Sequence, residues 1–488
     1  MSTFPDRMFR SSGRLIAALG FSVVLLSVRA STPSYAWPQF RGPNGSGVAD
    51  GALPPTQFGP TEQVVWSVEV PFSPSSPCIW DDRIFLTTFS DGQLETRCYD
   101  RADGRLRWAK QVKPDALEEF HRSDGSPAAS SPATDGRRVV SYFGSFGLIC
   151  HDFEGNELWR QTLPVVASAG KYGTGTSPIL IGDLVIVSRD QHRRSSLMAF
   201  DLNTGAKRWE AHRPDTAGSF GTPAYWRNAG VEEVVVAASG RLKGYDVRTG
   251  EERWVVEGIT GYVCTTPFAA GGWLYFGAWS NESMDSPFPA FEEFVKRFDR
   301  DGDGVVVHEE IPLDARDYYR GVDHNRDGRY TAEDWVANKA QAARSENTII
   351  AVKPGGRGDI TQTHVAWTYR RALPYVPTPL YYDGRIYYVR NGGQITSLDA
   401  KTGEPYYAQI PLGATGNYYA SPVAADGRIY VASLPGKLSV VKAGGTAPEL
   451  LHQVDFGSRI LATPVLVGKH LYLRTATHLW AFANPTTP

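Results

Sequence analysis

Two twelve-residue stretches of this chain place oxygen-bearing side chains at the spacing that a calcium ion requires. Calcium is a hard cation that takes about six to eight oxygen ligands. A twelve-residue loop supplies them from side chains at positions 1, 3, 5 and 12 and from the carbonyl at position 7, while glycine at position 6 allows a sharp turn. Residues 299–310 and residues 323–334 both follow this order.

The first loop offers the side chains of Asp299, Asp301, Asp303 and Glu310 and the carbonyl of Val305, and the second offers those of Asp323, Asn325, Asp327 and Asp334 and the carbonyl of Arg329. Both loops resemble the EF-hand family, and their tandem arrangement favours a metal-binding pair over the alternative, two acidic surface turns without metal. Position 9 of the first loop is Val307, which cannot bind the ion, so a water is expected there. Asp334 is shorter than the glutamate usual at position 12, which predicts a weaker or more magnesium-tolerant second site. We therefore expect one or two calcium ions.

The composition is typical of a strand-rich protein. The chain has 488 residues, a net charge of −2, 49 glycines and 33 prolines. So many glycines and prolines suit short strands joined by turns. The balanced charge gives no sign of a nucleic-acid-binding surface.

The first 36 residues have the features of a signal peptide. Arg7, Arg10 and Arg14 precede an apolar stretch, residues 15–28, that is too short for an ordinary membrane span. Ser34-Tyr35-Ala36 is an acceptable cleavage site, which predicts a mature chain from Trp37 without a membrane span. The alternative is an uncleaved anchor. Cleavage predicts a periplasmic or extracellular protein, and the absence of cysteine at the junction argues against a lipid anchor.

A Ser/Thr-Pro pair recurs along the chain, mostly at intervals in the forties. The pairs begin at Ser76, Ser131, Ser177, Thr222, Thr266, Thr378, Ser421 and Thr463. This interval is expected of four-stranded propeller blades. Each unit continues with an apolar strand, a Gly/Asp turn and two further strands, and it ends in a strand that carries a tryptophan.

The hairpin between the last two strands is the most specific part of the repeat. It reads Phe200-Asp-Leu-Asn-Thr-Gly-Ala-Lys-Arg-Trp209 in one unit and Tyr245-Asp-Val-Arg-Thr-Gly-Glu-Glu-Arg-Trp254 in the next. It resembles the Asp-x-x-Thr-Gly-x-x-x-Trp docking motif of the pyrroloquinoline-quinone (PQQ)-like eight-bladed β-propellers. The resemblance covers about residues 37–484 apart from an insertion, and it implies an all-β fold whose tryptophans lie between neighbouring blades.

The ends of the chain are predicted to share one blade. The eighth unit has room for about three strands, and residues 63–70 carry the tryptophan of a fourth strand with no unit before it. An N-terminal strand is therefore expected to close the propeller and to remove its exposed sheet edges. The predicted domains are a signal peptide (1–36), the first part of the propeller (37–279), an inserted EF-hand pair in blade five (280–346) and the rest of the propeller (347–488).

Four cysteines admit two interpretations, a disulfide framework or free buried thiols. Cys98 and Cys150 occupy the same repeat slot as Ala199, Gly244 and Ser397. Because that slot favours a small side chain on a buried strand, we expect free thiols.

The insertion is expected on the propeller face that holds the cofactor funnel in quinone-dependent relatives. Aromatic residues precede the strand openings on that face, and they form a candidate funnel rim: His121, Tyr172, Phe220, Tyr262, Tyr375 and Tyr418. The alternative is ordinary packing at a propeller mouth.

The resemblance does not extend to the catalytic and cofactor-binding residues of an enzyme. PQQ-dependent alcohol dehydrogenases use an Asp base, a calcium ion held beside the quinone and commonly an adjacent Cys-Cys ring. This sequence has no Cys-Cys pair, and no motif matches the other residues. The sequence therefore predicts an exported, calcium-binding, non-catalytic protein that binds a protein or polysaccharide at the funnel face. The alternatives are a divergent quinoprotein dehydrogenase, with PQQ as its cofactor, and a calcium sensor.

Overall fold

A computed structural model describes residues 36–168, 171–191, 194–216, 218–280, 288–319, 322–323, 327–343 and 345–485. Apart from Ala36, the predicted signal peptide lies outside these ranges. Within them the chain forms an all-β, eight-bladed propeller, each blade a sheet built on four antiparallel strands. No helix in the described part of the chain is long and apolar enough to cross a membrane.

In blades one to seven the four strands run from the propeller axis outward in chain order, whereas the outer strand of blade eight comes from the N-terminal part of the chain. Blade one comprises Cys78–Trp80, Arg83–Ser90, Gln93–Asp100 and Leu106–Val112, and blade two Ala133–Thr134, Arg138–Phe143, Gly147–Asp152 and Glu157–Thr162. Blade three comprises Ile179–Ile181, Leu184–Arg189, Ser196–Asp201 and Lys207–His212, and blade four Ala224–Asn228, Val231–Ala238, Arg241–Asp246 and Glu252–Glu257. Blade five comprises Phe268–Ala270, Trp273–Ala278, Thr348–Val352 and Val365–Tyr369, and blade six Leu380–Tyr382, Arg385–Arg390, Gln394–Asp399 and Pro405–Pro411. Blade seven comprises Val423–Ala425, Arg428–Ala432, Lys437–Lys442 and Glu449–Asp455, and blade eight Val465–Val467, His470–Arg474, His478–Ala483 and Val64–Glu69.

Blade eight joins the two ends of the chain. Its outer strand, Val64–Glu69, pairs antiparallel with His478–Ala483 from the C-terminal end. Val64 lies opposite Phe482, and Glu69 lies opposite His478. The predicted closure by an N-terminal strand is therefore confirmed.

The N-terminal segment ahead of that strand crosses the propeller axis. Ala36–Trp37 adds a fifth strand beside Cys78–Trp80 in blade one. Only a few residues later, the buried Arg41 guanidinium donates to the carbonyls of Thr378 (3.1 Å) and Pro379 (3.0 Å) in blade six. Since blades one and six lie on different sides of the ring, the chain between them must pass beneath its centre.

Tryptophans seal the joints between blades. The Trp159 ring of blade two covers Gly205 of blade three, where an added Cβ would stand 2.6 Å from the ring, and its Nε1 donates to the Leu202 carbonyl at 3.0 Å. The same arrangement of ring, turn glycine and carbonyl recurs at Trp66, Trp108, Trp209 and Trp367. The predicted position of the motif tryptophan between blades is confirmed at these joints.

The joint between blades four and five is built differently. Trp254 donates instead to Glu233 of its own blade, at 3.1 Å. Gly358–Asp359, from the loop of blade five, adds a short parallel strand to the outer edge of blade four. The usual turn is absent because the corresponding loop of blade five is rebuilt, with a short helix at Thr361–His364.

A small helical segment interrupts blade five between its second and third strands. It contains helices α1 (Phe291–Phe298), α2 (Leu313–Tyr319) and α3 (Ala332–Ala343), a 3₁₀ turn (His308–Glu310) and a two-stranded sheet of Val306–Val307 and Arg329–Tyr330. The Asn347 side chain ties its two ends together, since it accepts the N–H of Ser280 and donates to the carbonyl of the same residue, at 2.9 and 2.8 Å. The segment can therefore be accommodated without separating the strands of the blade.

None of the four cysteines forms a disulfide, as predicted. Cys98 and Cys150 lie directly opposite Trp108 and Trp159 across their hairpins, where the ring leaves room only for a small side chain. Cys78 is likewise fully buried, whereas Cys264 is partly exposed. Cys264 is thus the one thiol of the four that faces an accessible space.

Candidate functional site

The first acidic loop brings three carboxylates together. Oxygen atoms of Asp299, Asp301 and Asp303 lie within 4.8 Å of one another. Asp299 accepts the backbone N–H groups of Gly302 (2.7 Å) and Gly304 (3.0 Å), which folds the loop around its carboxylate. Gly304 has a φ of 81°, the left-handed conformation that glycine adopts without strain.

Glu310 closes this loop at position 12. One carboxylate oxygen accepts the N–H of Val307 and the other that of Arg300, both at 2.8 Å. These two bonds fix the side chain and hold the pKa of Glu310 below its usual range. The donor set is anionic and all oxygen, and a carboxylate oxygen that accepts one N–H retains a further lone pair. The chemistry of the loop therefore fits a calcium ion.

The second loop closes with a shorter carboxylate than the first. Asp323 accepts the N–H groups of Asp327 (3.1 Å) and Gly328 (3.0 Å), which repeats the fold of the first loop. Asp334, at position 12, accepts both the N–H and the hydroxyl of Thr331 through one oxygen, at 2.9 and 2.8 Å. That carboxylate is engaged as a helix cap, as expected of an aspartate at the start of α3. Asn325 lies outside the described residues, and the carbonyls of Val305 and Arg329 stay predicted ligands.

The two loops lie side by side because their backbones pair. Val306 is opposite Tyr330, so the eighth position of one loop meets the eighth position of the other. Beneath this pairing the Phe294 ring contacts the rings of Tyr319 (4.7 Å between centroids) and Trp335 (4.5 Å). The aromatic face of α1 is therefore packed inside the segment.

The propeller axis contains a cavity of about 450 Å³. The hydroxyls of all eight Ser/Thr-Pro pairs line it: Ser76, Ser131, Ser177, Thr222, Thr266, Thr378, Ser421 and Thr463. Each hydroxyl oxygen accepts the backbone N–H of its counterpart in the preceding blade at 2.9–3.1 Å, and the bond from Thr463 to Ser76 completes the circle. We call this closed circuit the hydroxyl ring.

An arc of aromatic side chains lies around the cavity. His121, Tyr172, Phe220 and Tyr262 each come from a different connection between blades, and their rings touch in sequence at centroid distances of 6.1, 6.1 and 5.3 Å. Tyr375 also lines the cavity. We call these five side chains the collar. The structure thus brings five of the six predicted rim residues together, while a role in ligand binding stays a prediction.

The sixth predicted residue, Tyr418, does not face the cavity. Its side chain is fully buried within the blades, and its hydroxyl donates to the Ala414 carbonyl at 2.6 Å. The neighbouring Tyr419 lines the cavity instead. Successive side chains of an extended segment point in opposite directions, so only one of the two tyrosines can face the axis.

Sequence reasoning also missed the floor and the mouth of the cavity. Phe40, from the segment that crosses the axis, contributes to the lining. At the mouth Arg459 pairs with Asp124 (2.8 Å) and donates to the Ser123 carbonyl (2.7 Å), which ties the connection before blade two to the one before blade eight. Tyr419 precedes Ser421 by two residues, as Phe220 precedes Thr222. This shared spacing was the sequence signal that could have identified Tyr419 as a lining residue.

An aromatic contact joins the root of the insertion to the collar. The Trp279 ring, at the end of the second strand of blade five, lies 5.7 Å from the Tyr375 ring of the collar and nearly perpendicular to it. The root of the insertion therefore stands on the cavity face.

The lining of the cavity does not suit PQQ. PQQ carries three carboxylates, and burying such groups requires cations or many donors to compensate them. Among the described lining residues none is lysine or arginine, and the nearby Arg459 is already paired with Asp124. No step involving this cofactor follows from these residues.

A family model described as outer membrane protein assembly factor BamB matches residues 90–260. No curated protein matches the sequence. The solved structures that resemble the fold include three named here. BamB from Moraxella catarrhalis has a TM-score of 0.54 at 13% identity, covering 86% of this chain and 99% of its own. A europium-containing methanol dehydrogenase has a TM-score of 0.57 at 10% identity, covering 92% and 98%. Quinohemoprotein alcohol dehydrogenase ADHIIG from Pseudomonas putida HK5 has a TM-score of 0.56 at 11% identity, covering 93% and 81%.

These likenesses describe the fold, which is that of a PQQ-like β-propeller. Binding proteins and dehydrogenases can share one architecture, so the fold alone decides nothing about activity. Function must therefore be inferred from the residues of the loops and of the cavity.

Proposed function

We propose that this chain is an exported, non-catalytic binding protein, with a partner site at the cavity face and calcium bound in the inserted segment. The observation that carries the proposal is the first loop, in which three aspartate side chains converge within 4.8 Å and Glu310 is fixed at position 12. Three converging carboxylates repel one another unless a cation neutralises them. The interpretation of the segment as an EF-hand pair, and of residues 280–346 as a separate insert, belongs to this proposal.

The calcium is proposed to be structural rather than regulatory. A sensor exposes an apolar groove when its helices separate. Here the ring of Phe294 is fully buried against those of Tyr319, Tyr330 and Trp335. We infer that calcium stiffens a segment whose aromatic core is already closed, and that it stabilises the adjoining cavity face.

The calcium site is tested by titrating the metal-free mature chain calorimetrically. Glu310→Gln should weaken binding at the first loop by at least tenfold, because the amide has lost one anionic oxygen. Asp334→Asn should have a smaller effect, because the shorter aspartate is less able than Glu310 to chelate the ion with both oxygens. Unchanged affinity in Glu310→Gln, with normal folding by circular dichroism, would contradict the proposal.

The non-catalytic character is tested with a dye-linked dehydrogenase assay after adding PQQ and calcium. We expect no quinone-dependent oxidation of alcohols or sugars, since the described lining offers no cation for the carboxylates of PQQ. Turnover that depends on added PQQ would refute this part of the proposal and favour the dehydrogenase alternative. The calcium titration would be unaffected by that result, so the two parts fail independently.

A further inference from the structure

We propose that the axial cavity binds the end of a neutral saccharide, with a sugar ring against the collar and its hydroxyl groups on the hydroxyl ring. This inference rests on the proposed function, because it treats the cavity as a binding site, and it specifies the chemistry of the ligand.

The size and shape of the cavity suit a small molecule or a chain end. Its volume of about 450 Å³ lies within the roughly 300–1,000 Å³ usual for ligand sites. Phe40 lies on its lining, in the segment that passes beneath the axis. A long polymer cannot thread through a channel blocked in this way, so a chain would enter by its terminus.

The hydroxyl ring calls for a ligand with many polar groups. Its eight side chains are buried, at most 4% exposed. Each oxygen accepts an N–H, yet among the described residues no acceptor is found for the hydroxyl hydrogens. A buried donor left unsatisfied costs about 1–3 kcal/mol. An apolar side chain of a peptide would leave these donors unpaired, whereas sugar oxygens can accept from several at once.

The charge of the lining excludes strongly ionic ligands. Asp124 is the one carboxylate among the described lining residues, and it is paired with Arg459. An anionic ligand would find no free cation there, and a cationic ligand would compete with Arg459 for Asp124. Burying an unpaired charge is far more costly than burying a hydroxyl. A neutral ligand is therefore favoured.

The collar supplies the apolar half of the interaction. A pyranose ring presents polar edges and C–H groups on its faces, and the latter pack against aromatic rings. The rings of Phe220 and Tyr262 lie 5.3 Å apart at the cavity wall. A lining that combines aromatic rings with hydroxyl donors matches the two kinds of surface on a sugar.

Binding is tested on the full mature chain with calcium, using glucose, maltose, cellobiose and N,N′-diacetylchitobiose as probes. Cys264 lines the cavity and reports occupancy, because iodoacetamide should modify it and a bound sugar should protect it. We expect at least one probe to bind at one site per chain by calorimetry and to slow alkylation at least fivefold. If none of the four binds or protects Cys264, the inference is wrong.

Variants locate the site. Tyr262→Ala should weaken binding of the active probe at least tenfold, and Thr222→Val should weaken it without altering the collar. Tyr406→Ala is the matched control, since Tyr406 is an exposed tyrosine on the outer strand of blade six. Equal affinity in all three variants would place any bound sugar elsewhere and overturn the inference. Intact calcium binding with no sugar binding would overturn this inference alone.

Discussion

The hydroxyl ring predicts that one missing oxygen weakens one joint and leaves the others intact. Ser76→Ala removes the acceptor of the Thr463 N–H, a bond of 2.9 Å between buried groups. The unsatisfied N–H should lower the free energy of local opening by about 1–3 kcal/mol. Hydrogen exchange at Thr463 should then accelerate by about 5- to 150-fold, since 1.4 kcal/mol corresponds to a factor of ten.

The control is the same substitution at another joint. Ser177→Ala removes the acceptor of the Ser131 N–H, also at 2.9 Å. Peptide-resolved exchange should rise at Ser131 in this variant and stay unchanged at Thr463, with the reverse pattern in Ser76→Ala. Ser76→Thr keeps the oxygen and should behave like the unmodified chain. If Thr463 exchanges at the same rate in Ser76→Ala, the ring contributes nothing to closure, and the reasoning fails.

Three further outcomes are expected. Burial raises the pKa of Glu118 to about 7, so the native chain binds the carboxyl proton more tightly than the unfolded chain does. The free energy of unfolding should therefore fall by about 3 kcal/mol as the pH rises from about 4.5 to 7. Glu118→Gln should remove this decrease, as measured by Tm against pH. Trp159→Phe should lower the free energy of unfolding by about 0.5–1.5 kcal/mol, because the hydrogen bond to Leu202 is lost, and an unchanged denaturation midpoint would contradict this. Arg459→Gln should accelerate alkylation of Cys264 by up to about fivefold, because a partly exposed ion pair contributes at most about 1 kcal/mol. Slower alkylation would contradict the idea that the Arg459–Asp124 ion pair restricts access to the cavity.

The sequence predicts the parts of the fold that depend on local chemistry. The turn glycine and the tryptophan of a hairpin define an interlocking contact, as in Trp159 over Gly205, and the same signal recurs at five of the described joints. The closing strand could be predicted because the eighth unit lacks a strand and residues 63–70 supply one. These inferences succeed because the repeat makes each blade a copy of its neighbours.

The parts that could not be predicted depend on contacts between distant residues. Arg41 reaches the carbonyl of Thr378, 337 positions away, and nothing in the local pattern indicates that the segment crosses the axis. The choice between Tyr418 and Tyr419 depends on the direction of one side chain in a loop, where no periodicity sets the register. The joint at Trp254 departs from the repeat because its neighbour, blade five, has a different hairpin.

The shared blade has a consequence for the order of folding. Val64–Glu69 is among the first strands to be synthesised, and its partner His478–Ala483 is among the last. Until the C-terminal strands arrive, the early strand has no edge to pair with in its own blade, and contacts of such long sequence separation form slowly. Unpaired strand edges are prone to association with other chains. Val64–Glu69 therefore stays unpaired in its blade until His478–Ala483 has been synthesised, and it can associate with other chains throughout that interval.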